Sequence, residues 1–277
     1  MDTVYKYCDA RGVKILEELE LKVTPPNQFN DPFEFTPRIV CTSVKREIKH
    51  LLRDKKELRG MFLESKNEGF TGNFRDYRKQ WKEIRATVIS KIEPQMPEAC
   101  LDLQAKCPNI ISRGVGVLCL SIRPDSIVMW GHYGNKHSGM VIGFDRSWGL
   151  FQREKGLRPI EYVRERVRWD SSWMPGGSEE KAYVDQLIFC KNDEWKYEEE
   201  MRQLFRLSGL RQRSLDNGAI GYFLPIPPEV VRTVYLGMRC SPKLEDTVRC
   251  ALRDPRLSHV QLNRAALDDN NFALKFE

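Results

Sequence analysis

The chain has 277 residues, 41% hydrophobic and 30% charged, with a formal net charge of +6. Six Trp, nine Tyr and 13 Phe are ample core material, which excludes a disordered chain, and no run of about 18 apolar residues offers a membrane-spanning helix. The charge is localised: residues 41–95 carry 14 Lys and Arg against 8 Asp and Glu, the whole of the excess, which suits an anionic partner.

Residues 1–7 hold no basic stretch followed by an apolar one, so no export signal is expected. The eight cysteines form no CxxC pair and read as reduced thiols of a cytoplasmic protein. Val4–Tyr7 alternates as a strand, and Arg11–Leu19 follows as a helix with Val13, Ile15, Leu16 and Leu19 on one side. Leu21–Thr24 is a short strand. Pro25 and Pro26 then stop regular structure and lead into Phe29-Asn30-Asp31-Pro32-Phe33-Glu34, where Asn-Asp-Pro starts a turn and the phenylalanines anchor it. Phe35–Cys41 resumes as extended chain. From Ser43 to about Ala105 the pattern is helical, with Ile48, Leu51, Leu52 and Leu58 in one run and Tyr77, Trp81, Ile84, Val88 and Ile92 in another. At about 100° per residue Arg75, Arg78, Lys82 and Arg85 line one broad face of the second helix, with Lys79 near its edge. Residues 43–107 therefore read as a basic helical insertion within a single domain spanning 1–277, and these four cations are the candidate nucleic-acid contacts.

After Gly114 the character changes. Val115–Ile122 is a buried strand, Ser126–Tyr133 one or two helical turns, and Ser138–Phe144 a second strand. Arg158–Val163 is extended, Glu179–Phe189 helical and Glu198–Leu207 a strand, followed by strands near Ala219–Pro225 and Val231–Leu236. Pro242–Leu252 is helical, and Val260–Leu262 and Phe272–Phe276 close the chain as short extended pieces. Strands outnumber helices outside the insertion and do not alternate with them, which argues an α+β fold.

Three clusters have the composition of a site. Trp130-Gly131-His132-Tyr133-Gly134-Asn135-Lys136-His137-Ser138-Gly139 combines rings that can hold a planar heterocycle with glycines that admit a ligand to the backbone. A Gly-rich turn with buried aromatic anchors is the plainer reading. In Lys191 followed by Trp195-Lys196-Tyr197-Glu198-Glu199-Glu200-Met201-Arg202, strand alternation puts Glu198, Glu200 and Arg202 on one face. The guanidinium would let both carboxylates stay ionised for base work or for stabilising an oxocarbenium ion; an exposed edge face is the plainer alternative. In the third cluster, Asn30 or Asp31 would meet a ribose hydroxyl. P-loop, dinucleotide and nucleophile-elbow motifs are absent. His132 and His137 have no cysteine partner nearby, so no metal site is expected, and a metal nuclease built on Asp170, Glu179 and Lys181 ranks last.

Tyr5-Lys6-Tyr7, Phe29-Asn30-Asp31-Pro32-Phe33-Glu34, Trp130-x-x-Tyr133-x-x-x-His137-x-Gly139 and Trp195-x-Tyr197-Glu198-x-Glu200-x-Arg202, in this order, resemble a bacterial domain family of unknown function. More faintly, the opening strand and helix and the Glu-x-Glu strand resemble ADP-ribosyltransferases of the DNA-modifying toxin and RNA phosphotransferase type. Lys6 stands where His or Arg is usual there. That resemblance implies a split, twisted, mostly antiparallel sheet and NAD as substrate. It also implies an acceptor macromolecule, with DNA and RNA as candidates, and a bacterial toxin or phage-defence role. It makes Glu200 the carboxylate that stabilises the ribosyl cation, Glu198 the residue that orients or deprotonates the acceptor, and Arg202 the group that sets their ionisation. Lys6, Tyr7, Asn30, Asp31 and His137 would hold the rest of NAD, with Trp130 or Tyr133 on nicotinamide. The alternative from another class is a non-catalytic module that binds a nucleotide or nucleic acid.

Overall fold

Val4 packs into one core cluster while Tyr5 and Tyr7 pack into another, so the first strand is buried on both faces and belongs in the middle of a sheet. The computed structural model places it there. It describes residues 3–40, 53–170, 180–215 and 218–277, without the side chains of 57, 84–86, 88, 170 and 180–182. In chain order the strands are β1 (Thr3–Cys8), β2 (Glu20–Val23), β3 (Arg38–Val40), β4 (Val115–Ser121), β5 (Met140–Asp145), β6 (Arg158–Pro159), β7 (Glu161–Val163) and β8 (Arg168–Asp170). They continue as β9 (Cys190–Asn192), β10 (Glu200–Arg206), β11 (Arg211–Ser214), β12 (Ile220–Pro225), β13 (Val231–Leu236), β14 (Gln261–Leu267) and β15 (Leu274–Phe276). The chain divides into two compact units, the first made of Met1–Phe35, Pro108–Glu165 and Ile188–Glu277, the second of Thr36–Cys107 and Arg166–Leu187.

Unit 1 is built on an eight-stranded sheet in the order β15-β14-β13-β5-β1-β4-β10-β6. Every pairing is antiparallel except β13 with β14. This mostly antiparallel sheet with helices is the expected α+β class. On its Val4 side, the helices Val13–Glu18 and Pro242–Ala251 bring Leu16, Leu244 and Val248 into the same cluster as Ile142 and Val234.

The pairing of β1 is lopsided. It matches β5 over six pairs, from Thr3↔Asp145 to Cys8↔Met140, but meets β4 at the single pair Tyr5↔Ser121. The other end of β4 is attached to the residue after β2, where Thr24 and Val117 exchange two backbone hydrogen bonds of 2.9 Å. Between these attachments the edge of β4 has no strand beside it among the described residues, and Lys6 Nζ fills the interval by donating to the Cys119 carbonyl at 2.9 Å. The sheet is split at this point. β2 itself belongs to a second, antiparallel sheet, β11-β12-β2, and β7 pairs parallel with β9.

Unit 2 holds the parallel pair β3/β8, the helices Lys55–Asn67 and Phe74–Ile92, and most of the helix Met96–Ile111. Asn73 caps the second of these helices in a capping box with Asp76, and Phe62 packs edge-on against Phe70, Phe74 and Tyr77. The unit takes in most of the expected insertion and adds Thr36–Val40 and Arg166–Leu187. Ile48, Leu51 and Leu52 lie outside the described residues. No described helix is long and apolar enough to cross a membrane.

Some elements differ from those expected. The strand expected from Glu198 starts at Glu200, because Asp193–Glu198 winds into a 3-10 helix that Glu199 closes in the left-handed conformation, φ 42°. Arg211-Gln212-Arg213-Ser214 has no apolar residue to signal a strand; its pairing with β12 makes it one.

Candidate functional site

A cavity of about 270 Å³ opens in unit 1 at the split of the sheet, with Tyr5, Lys6 and Tyr7 of β1 on one side and Cys119, Leu120 and Ser121 of β4 on another. Lys22, Thr24 and the turn Gln28–Asp31 continue the wall, and Tyr133 and Trp195 add two rings. Glu34, Lys191, Glu198 and Glu200 also line the cavity.

These last four residues belong to a buried ion cluster. Lys191 Nζ lies 2.6 Å from Glu198 Oε2, 3.1 Å from Glu34 Oε1 and 3.3 Å from Glu200 Oε2. Arg202, fully buried, donates to both oxygens of Glu200 at 2.8 and 3.0 Å, to the Ile188 carbonyl at 2.7 Å, and to Glu34 Oε2. Phe29 and Phe35 each place a ring centroid 5.4 Å from its guanidinium carbon, a cation–π contact on either ring. Trp195 does the same for Lys191 at 4.8 Å. Tyr133 donates its hydroxyl to Glu198 Oε1 at 2.8 Å. Three carboxylates thus meet two cations. With all five ionised the cluster carries one negative charge, in surroundings where an unpaired charge is costly.

The carboxylates differ in acid strength. Burial pushes Glu200 up, but the charges of Arg202 and Lys191 outweigh it and hold its carboxyl down at about 2. Burial raises Glu198 above the ordinary range despite Lys191, and the charge of Glu200 adds to the effect. Glu34 is raised in the same way, by burial against the pull of Arg202 and Lys191. One carboxyl is therefore held as an anion, and the other two are weaker acids than an ordinary Glu. The Cys119 thiol is held protonated by burial and by Glu200, so the wall supplies no thiolate.

Among the residues singled out from the sequence, the fold brings together Lys6, Tyr7, Asn30, Asp31, Tyr133, Glu198 and Glu200 on this cavity. Arg202 lies behind it, bonded to Glu200. The cation between Glu198 and Glu200 is Lys191, not Arg202 as strand alternation suggested, because Glu198 precedes the strand. Tyr7 has its hydroxyl engaged by the Arg123 carbonyl and the Ser126 amide. Asp31 accepts from the Phe33 amide at 2.9 Å and shapes its own turn.

Trp130 and His137 are placed away from the cavity. Trp130 is fully buried, donates its indole N–H to the Pro124 carbonyl at 2.8 Å and stacks on His137. It is a core residue, so of the two aromatic candidates only Tyr133 lines the cavity. Asn135, Lys136 and His137 all have positive φ, at 48°, 54° and 68°. This left-handed turn folds the chain back so that the amides of Lys136 and His137 reach the carbonyls of Gly131 and Trp130. Gly139 is needed because a Cβ there would lie 2.1 Å from the Cys8 carbonyl oxygen. The motif is mostly a turn that presents Tyr133.

In unit 2, Arg75, Arg78 and Lys82 are exposed and have no carboxylate partner among the described residues, while Lys79 lies 3.7 Å from Glu83. The Arg85 side chain lies outside the described residues, as do Glu179 and the side chains of Asp170 and Lys181.

Glu34 and Lys191 are the members of the cluster to which the sequence assigned no role. Glu34 closes one quoted motif and Lys191 stands just before another, yet their partners lie up to 168 residues away in the chain. A charged residue next to an aromatic run was the available signal.

The sequence model of a family described as a protein of unknown function (DUF2971) matches residues 129–203, the stretch that holds Tyr133, Lys191, Glu198, Glu200 and Arg202. No curated protein and no solved structure matches the chain.

Proposed function

We propose that the chain is an ADP-ribosyltransferase-like enzyme that breaks the nicotinamide–ribose bond of NAD and passes ADP-ribose to a macromolecule. The observation that carries this reading is the hydrogen-bonded line Tyr133–Glu198–Lys191–Glu200 on a cavity wall whose carboxylates outnumber its cations. Positive charge develops on the ribosyl ring as neutral nicotinamide departs, and a preorganised net-negative wall favours that charge over the ground state. Glu200, fixed as an anion by Arg202, supplies the field. Glu198, more basic, takes the proton of the acceptor nucleophile, while Tyr133 and Lys191 hold its carboxylate in place. Tyr133 and Trp195 are the rings available to nicotinamide.

Nucleic acid is the acceptor we favour, on the exposed cations of the helix Phe74–Ile92. A cytoplasmic setting and the toxin or phage-defence role go with this reading. The test is incubation with NAD and measurement of free nicotinamide. Release that Glu198→Gln or Tyr133→Phe lowers supports the proposal, and no release with or without nucleic acid removes NAD as substrate.

A further inference from the structure

A second cavity, of about 680 Å³, adjoins the first and shares Lys6, Tyr7, Lys22 and Tyr133 with it. Its far walls are the start of the helix Val13–Glu18 and the hairpin β11–β12. The charges along it are unequal. The acidic groups Asp9, Glu18 and Glu20 are all paired with arginines: Asp9 with Arg11 at 2.6 Å, Glu18 with Arg213 at 2.5 Å, and Glu20 with Arg211 at 2.8 Å and Arg213 at 3.1 Å. Three lysines are left over. Lys6 is bonded only to a carbonyl, and Lys14 and Lys22 have no carboxylate partner among the described residues. Burial first, then the charges of Lys6 and Arg11, hold the Lys22 ammonium below its ordinary value. Lys22 is therefore repelled by Lys6 and Arg11 in a groove whose lysines and arginines outnumber its carboxylates, and an anion seated there would relieve the repulsion.

We propose that this groove is a phosphate-binding compartment continuous with the first cavity, in which Lys6, Lys14 and Lys22 hold phosphate groups of the bound substrate or of the acceptor strand. The naming of substrate and acceptor rests on the ADP-ribosyl reading; the anion site does not. The two cavities share a wall at Lys6 and Lys22, so a phosphate there lies between whatever occupies the carboxylate end and whatever extends towards Lys14.

Isothermal titration of the full chain with inorganic pyrophosphate, NAD and a short unlabelled oligonucleotide tests this. The proteins are wild type, Lys14→Gln, Lys22→Gln, the double variant, and Lys243→Gln as an equal loss of charge on the helix Pro242–Ala251. Each groove variant should weaken pyrophosphate binding about three- to fivefold and the double variant by about tenfold or more, with Lys243→Gln unchanged. A parallel loss for NAD places the substrate's own phosphates in the groove, and a loss for the oligonucleotide alone places the acceptor's there; either supports the compartment. Equal pyrophosphate binding by all five proteins, or none by wild type, overturns it. Absence of nicotinamide release from wild type would fell the NAD reading and leave the pyrophosphate result to decide the groove.

Discussion

Glu198 and Glu200 stand two residues apart, touch the same ammonium group, and are pushed in opposite directions, one up and one down to about 2. That difference assigns the labour: a group raised above the ordinary carboxylate range can accept a proton, and a group held far below it stays charged throughout. Glu198→Gln should lower ADP-ribosyl transfer by about 100- to 1,000-fold, with only a small shift in melting temperature, measured by transfer assay and thermal unfolding. The wild-type kcat/KM for transfer should fall on the acid side through a value above the ordinary Glu pKa of about 4.3, and that limb should vanish in Glu198→Gln. A limb at the ordinary value would remove Glu198 as the base. Tyr133→Phe, which deletes the donor to Glu198 at 2.8 Å, should cost about tenfold in transfer. The Glu-x-Glu pair was readable from the sequence because its spacing is local, although Glu198 precedes the strand and alternation does not set the geometry. The choice between Trp130 and Tyr133 was not, because both rings sit within one helical turn and only tertiary packing decides which faces inward. Lys191 and Glu34 were opaque for the same reason: each gains its meaning from partners that only the fold brings to it.

The helix Phe74–Ile92 shows what local signals can carry. Its apolar run and its basic stripe follow from sequence spacing alone, and the structure adds the Asn73–Asp76 capping box. Asn73→Ala should destabilise unit 2 by about 1 kcal/mol, read from chemical denaturation. Arg75, Arg78 and Lys82 are expected to give nucleic-acid binding whose log K falls with log salt at a slope of about −2 to −3, and their joint change to Gln should flatten it. Anisotropy titrations at two salt concentrations check this; no binding by wild type at about 50 mM salt would leave the stripe as a solvated face. The 3-10 helix Asp193–Glu198 was not legible, since its end depends on Glu199 adopting positive φ, which residue type does not announce. The α+β class was legible from strand frequency, whereas the point where β1 and β4 part was not, because it lies in which strand of a pair stops bonding first.

Stability of the whole molecule is linked to the same ions. The folded value of Glu200 lies below its unfolded one, so its contribution is fully present above about pH 4.3 and is lost as pH falls towards 2, amounting to about 3 kcal/mol. Glu34 and Glu198 act with the opposite sign, their burial penalty easing as each takes a proton at higher pH. Urea midpoints between pH 5 and 3 should therefore drop more for wild type than for Glu200→Gln. That variant should itself be less stable at pH 7 by about 3–5 kcal/mol, because buried Arg202 loses one of its two carboxylate partners and keeps only Glu34. The lopsided pairing of β1 reaches further still, into the order of synthesis. The strand at the centre of the sheet is the first to be made, yet Lys6 finds its carbonyl 113 residues later and Glu34 its guanidinium 168 residues later. A growing chain therefore holds its central strand without neighbours until β4 and β5 have emerged, and keeps Glu34 in water until Arg202 arrives. Such late, distant closures make for slow folding, and neither the sheet nor the ion cluster can be finished in instalments.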